Sequence, residues 1–152
     1  MRFIYCFEEL DAIVKDITDE GALMYLYLSW LGLSDDEIAL LETSDCNMNM
    51  RILHTGGRTV YVKDDKIADL LKKFCSVNND KILPESDKSR SLAESSGISP
   101  IYVYKMGYYM EKLDLKRKNQ PEDIMRFKAM IRYIGQDEDM LAREFSEYEQ
   151  QA

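Results

Sequence analysis

The chain has 152 residues, 45% of them hydrophobic and 32% charged, with a formal net charge of −8. That is one domain's length with the composition of a globular protein, which excludes fibrous and fully disordered classes. No apolar run approaches the roughly 20 residues that a membrane span needs, and Met1-Arg2-Phe3-Ile4-Tyr5-Cys6 is too short and too quickly followed by acid to be a secretion signal. The expectation is a single domain over residues 1–152, cytoplasmic, with no membrane partner.

Three cysteines, Cys6, Cys46 and Cys75, are an odd number without CxxC spacing, and His54 is the single histidine. Clustered zinc ligands are therefore not expected, nor any other cofactor; buried reduced thiols are. The net charge argues against nucleic acid, whose phosphates are contacted by Lys and Arg. Its distribution points the other way. Residues 1–50 hold 2 basic and 11 acidic side chains, residues 51–132 hold 17 and 11, and residues 133–152 hold 1 and 6. A basic middle between acidic ends allows a local DNA-facing surface, because fields act over about 10 Å at ordinary salt.

In chain order, Phe7, Leu10, Ile13, Val14 and Ile17 recur at helical spacing, which predicts an amphipathic helix ending before Gly21. Residues 22–31 are apolar nearly all round and predict a central buried helix. Gly32, between Leu31 and Leu33, breaks it. Ser34 and Glu37 stand at capping-box spacing ahead of a short helix, whose Asp35-Asp36-Glu37 suits the positive end of the helix dipole. Met50 to His54 and Arg58 to Val62 are β-prone runs joined by Thr55-Gly56-Gly57, which predicts a hairpin.

Asp64 or Asp65 caps the next predicted helix, whose stripe is Ile67, Leu70, Leu71 and Phe74. Residues 76–97, rich in Ser, Asn, Asp and Lys with Pro84, read as a long loop with room for a short helix near Arg90 to Glu94. Ser99-Pro100 is a helix start, and that helix carries Tyr102, Tyr104, Tyr108 and Tyr109 to about Lys112. Pro121 opens another, with Ile124, Phe127, Ile131 and Ile134, closed by Gly135; an acidic helix with Leu141, Phe145 and Tyr148 ends the chain. The fold class expected is mainly α with one small hairpin, an α+β domain.

This order resembles the catalytic domain of tyrosine recombinases, the phage integrase family. Gly32-Leu33, Glu37, Ile38, Leu40, Leu41 and Asp45 ahead of the hairpin fit the family's pattern, and the resemblance covers most of the chain at low identity. It implies a tyrosine attacking a DNA phosphate, with two arginines, a His or Lys and a hairpin lysine holding the developing charge. At those positions the sequence departs. Ser34 stands where the first arginine belongs, and the His-x-x-Arg falls on Ile101-Tyr102-Val103-Tyr104 beside Lys105. The Leu-Gly-His corresponds to Ile134-Gly135-Gln136, and the tyrosine falls near Phe145, with Tyr148 a turn on. An isolated tyrosine, with a pKa of about 10, is a poor nucleophile without such cations, so no enzymatic activity is expected.

The resemblance then implies a non-cutting, recombinase-like regulator in a phage or mobile element, acting for example as a repressor of lytic genes. Its partner would be double-stranded DNA, met at Arg51, Arg58, Lys105, Lys116, Arg117, Lys118, Arg126 and Lys128. So acidic a domain leaves open a further DNA-binding domain ahead of Met1. A competing reading is a protein–protein interaction module, a homo-oligomer through the acidic last helix. A third, a helix-turn-helix with residues 35–41 as recognition helix, would turn three carboxylates toward phosphates and ranks last.

Overall fold

A computed structural model describes residue 4 and residues 6–107. The elements group around α2, Glu20–Trp30, whose Met24, Tyr25, Leu26, Tyr27 and Leu28 are all buried. Asp19 caps its start, the carboxylate accepting the Ala22 N–H at 2.9 Å. α1, Phe7–Val14, packs through Leu10 and Val14, with Phe7 tilted against Tyr27 at 5.7 Å between ring centres. α2 ends where Gly32 takes φ +93°. The Gly32 N–H bonds the Ser29 carbonyl at 2.9 Å and the Leu33 N–H that of Leu28 at 3.1 Å, a Schellman ending with both leucines buried. A Cβ at this φ costs about 1 kcal/mol, so Gly32→Ala is expected to lower stability by about that much, read as a lower urea midpoint at unchanged slope.

The chain turns directly into α3, Asp35–Leu40, through the expected capping box. The Ser34 hydroxyl accepts the Glu37 N–H at 3.3 Å, and Glu37 Oε1 accepts the Ser34 N–H at 3.0 Å. A short 3₁₀ turn, Thr43–Asp45, leads to β1, Cys46–Asn47, which pairs antiparallel with β2, Ile52–Thr55. β2 pairs in turn with β3, Arg58–Tyr61. Gly56 and Gly57, at φ +54° and +73°, make the two-residue turn whose twist suits a hairpin. Leu53 and Val60 face each other on the buried side, while His54 and Thr59 pair on the exposed side. β1 makes the sheet three-stranded where sequence reading gives two strands; two residues are too few to show a pattern.

α4, Asp65–Val77, buries Ile67 and Leu71. The loop expected over residues 76–97 is corrected: the short helix allowed near Arg90 to Glu94 extends over Ser86–Ser95 as α5, which packs along α2 as that helix's most extensive neighbour. The helix formers there are weak, but Ala93 and Ser89 bury against α2, and tertiary packing decides. Gly21 permits the approach, since a Cβ there would lie 2.8 Å from Ser89 Oγ. Residues 100–107 are helical as expected, with Ser99 Oγ accepting the Tyr102 N–H at 3.3 Å. The helices expected from Pro121 and over residues 137–149 lie outside the described residues. The described part is thus α+β, mainly helical with a small antiparallel sheet. None of its helices is long and apolar enough to cross a membrane.

Candidate functional site

The Schellman ending of α2 delivers Leu33, Ser34, Asp35 and Asp36 to one edge of the domain. The helical stretch 100–107 presents Ile101 and Tyr104, three residues apart and so on one helix face, to the same place. Together these six residues line a cavity of about 280 Å³. Its two sides are the positions that the recombinase resemblance equates with the first arginine, Ser34, and with the ends of His-x-x-Arg, Ile101 and Tyr104. Residues 67 positions apart in sequence are thus brought together.

The cavity is acidic. Among the described residues no Lys, Arg or His lines it, and two carboxylates do. A phosphate about 4 Å from either would be repelled by roughly 1 kcal/mol at the dielectric of water and about 4 kcal/mol at that of a protein surface. The N–H groups at the start of α3 offer no relief, because Ser34 Oγ occupies the Glu37 N–H and the first turn is Asp-Asp-Glu. Asp35 is also held from behind. The buried Tyr25 hydroxyl donates to Asp35 Oδ1, and Arg90 of α5 reaches Asp35 Oδ2 at 3.7 Å. Burial first, and then the Asp35 carboxylate, push the Tyr25 phenol well above the ordinary tyrosine range, so it stays a proton donor.

Behind the cavity the hairpin is fastened to the α2–α3 joint. Arg58 Nη2 donates to the Gly32 carbonyl at 2.8 Å and to Glu37 Oε1 and Oε2 at 2.8 and 3.1 Å. Glu37 Oε2 also accepts the Thr55 hydroxyl at 3.3 Å. Glu37, its side chain 16% exposed, therefore serves two structures at once, the α3 cap and the hairpin latch.

Of the eight cations read from sequence as phosphate contacts, Arg58 is engaged in this latch and Arg51 in an ion pair with Asp65 at 2.7 Å. Arg51 also adopts φ +54° in the turn before β2, uncommon for a residue with a Cβ. Lys105 lies half-buried on the helical stretch that lines the cavity. Lys116, Arg117, Lys118, Arg126 and Lys128 lie outside the described residues, as do Gly135, Gln136, Phe145 and Tyr148. Residues 6–107 carry 11 Lys and Arg against 18 Asp and Glu. Seven of those cations are paired with carboxylates, Arg51, Arg58, Lys66, Lys73, Lys81, Lys88 and Arg90. No group of three or more His, Cys, Asp or Glu among the described residues could hold a metal ion.

Sequence reasoning missed the Tyr25–Asp35–Arg90 cluster, which joins three helices and leaves no periodic trace. It also missed the latch, whose only signal is that Glu37 and Arg58 are opposite charges across a predicted hairpin. No family model matches the chain, and no curated protein or solved structure matches it.

Proposed function

We propose that the protein is a tyrosine-recombinase-like DNA-binding regulator that does not cut DNA. The observation that carries the reading is the cavity at Ser34, Ile101 and Tyr104: the resemblance requires these positions to meet, they meet, and carboxylates stand there in place of the cations that phosphoryl transfer needs. DNA contact is assigned to Lys105, Lys116, Arg117, Lys118, Arg126 and Lys128, with Arg51 and Arg58 serving the fold. In a salt titration against duplex fragments, six phosphate contacts give a slope of log affinity on log salt of about −5. No nicked product accumulates in the same tubes. Absence of any duplex binding at low salt removes the reading, and nicking removes its non-catalytic half.

A second reading, an interaction module without DNA contact, is favoured by one feature. A groove of about 490 Å³ between α3 and the β2–β3 turn carries Leu40, 68% exposed, between Asp36 and Asp45. Deleting residues 137–152 separates the two readings. Under the first, oligomeric state changes while DNA affinity is kept; under the second there is no DNA affinity to keep.

A further inference from the structure

The starts of α2 and α5 and the end of α4 surround a cavity of about 610 Å³, a volume typical of small-molecule sites. It shares no residue with the acidic cavity beside α3. Phe74, Val77, Leu83, Pro84 and Leu92 give it an apolar wall, in which Val77 and Leu92 are large hydrophobic side chains left exposed. The charged groups around it are already engaged. Lys73 Nζ donates to both Glu20 oxygens at 2.7 and 2.8 Å, Lys88 faces Glu85 at 3.7 Å, and the Asp19 carboxylate caps α2.

Ser89 is not engaged. It is 7% exposed, yet its hydroxyl has no hydrogen-bond partner among the described residues. That oxygen is not sealed off either, so it opens onto the cavity that Ser89 lines. The other buried polar side chain, Ser29, donates to the Tyr25 carbonyl at 2.9 Å, and Ser95 and Ser96 likewise bond back four residues. A hydroxyl shielded from water without a partner is costly, and a ligand oxygen in the cavity removes that cost. Facing it is Gly21, where a Cβ would lie 2.8 Å from Ser89 Oγ. Gly21 stands in the first turn of α2, at the positive end of that helix.

We propose that this cavity binds an uncharged, mainly apolar small molecule whose carbonyl oxygen accepts the Ser89 hydroxyl proton. An anion would meet three carboxylates, Asp19, Glu20 and Glu85, against two ammoniums. A cation would sit at the positive end of α2 and would have to draw a carboxylate from Lys73, from Lys88 or from the α2 cap. A carbonyl oxygen suits that helix end with its partial charge alone and takes the one proton that Ser89 has to offer. The apolar body of the ligand covers Phe74, Val77 and Leu92, and the area so removed from water supplies the affinity.

The test uses the full chain and Nile red, an uncharged aromatic dye with one ring carbonyl whose emission rises in apolar surroundings. Saturable binding of one dye per chain is expected, with displacement by nonan-2-one. Octanoate and octylamine, charged chains of similar length, displace it about tenfold less well, because burying a charge is costly. Ser89→Ala weakens the ketone about fivefold, the worth of one neutral hydrogen bond. Its urea midpoint does not fall, since the hydroxyl gives up no partner within the chain. Val77→Lys puts an ammonium in the apolar wall and abolishes binding; at 71% exposure Val77 is not needed by the core. Met50→Lys, at an exposed apolar residue outside the cavity, leaves binding unchanged. The absence of saturable binding, or displacement by octanoate or octylamine as good as by the ketone, would overturn the proposal. So would a Val77→Lys chain that binds as the parent does, or a lower urea midpoint for Ser89→Ala.

Discussion

Gly107→Ala is expected to destabilise the protein by about 3 kcal/mol, the upper part of the range for forcing atoms into packed space. The helical stretch 100–107 rests on the last turn of α2 so closely that a Cβ at position 107 would overlap the Trp30 carbonyl oxygen. It would also come within 2.7 Å of the Trp30 carbonyl carbon and 3.0 Å of its Cα. These are backbone atoms of a buried helix, one residue before its Schellman ending, and they cannot swing aside as a lysine tip could. Helix propensity alone predicts the opposite sign, since alanine in a helix interior is better than glycine by about 1 kcal/mol. The direction of the change in urea unfolding thus decides between the two. A variant as stable as the parent, or more so, would mean that this helix does not rest on Trp30. The consequence reaches the cavity. Relief of the overlap pushes residues 100–107 away from α2 and parts Ile101 and Tyr104 from Ser34. By contrast, a Cβ at Gly57 meets nothing within 4 Å, and only its φ of +73° counts against alanine.

How far such features were legible in the sequence depends on how local their cause is. The Ser34–Glu37 capping box, the break at Gly32 and the turn at Gly56-Gly57 each follow from three or four neighbouring residues, and each stands where the residues predict it. The apolar run of α2 needs no partner to be recognised as buried. The full length of α5, beyond a short helix near Arg90 to Glu94, was opaque for the reverse reason. Its sequence, Ser-Asp-Lys-Ser-Arg-Ser-Leu-Ala-Glu-Ser, is that of a loop, and only the face that Gly21 leaves open makes a helix worthwhile there. The close approach at Gly107 was equally invisible, because a glycine inside a helical pattern signals a cost without naming the neighbour. The meeting of Ser34 with Ile101 and Tyr104 follows from no periodicity, because it joins two elements 67 residues apart. The carboxylates at the cavity were in plain view, yet at the start of α3 they read as dipole partners.

Glu37→Ala is expected to cost about 3 kcal/mol and Arg58→Ala about 2 kcal/mol, since a hydrogen bond to a charged group is worth about 1.5–3 kcal/mol and a stranded buried partner adds to the loss. Glu37 costs more because it holds four groups: the Ser34 N–H, the Thr55 hydroxyl and, through Arg58, the β3 strand and the Gly32 carbonyl. Its removal takes away the carboxylate half of the α3 capping box, leaving the Ser34 hydroxyl on the backbone N–H of residue 37, and frees the hairpin at the same time. Arg58→Ala leaves the cap intact but strands a carboxylate that is 84% covered, given the 16% exposure of that side chain. The double variant should therefore cost less than the sum of the two by about 1–2 kcal/mol, the coupling that residues in contact show. A sum that is simply additive would mean that the two side chains do not meet in solution. The same variant sorts the two roles assigned to Arg58. Held in the latch, it contributes nothing at a phosphate, so Arg58→Ala leaves the salt slope of DNA binding where it was. A slope shallower by about one unit would place Arg58 on the DNA. The hairpin would then have to release Glu37 on binding, turning the latch from a fixture of the fold into a contact exchanged for DNA.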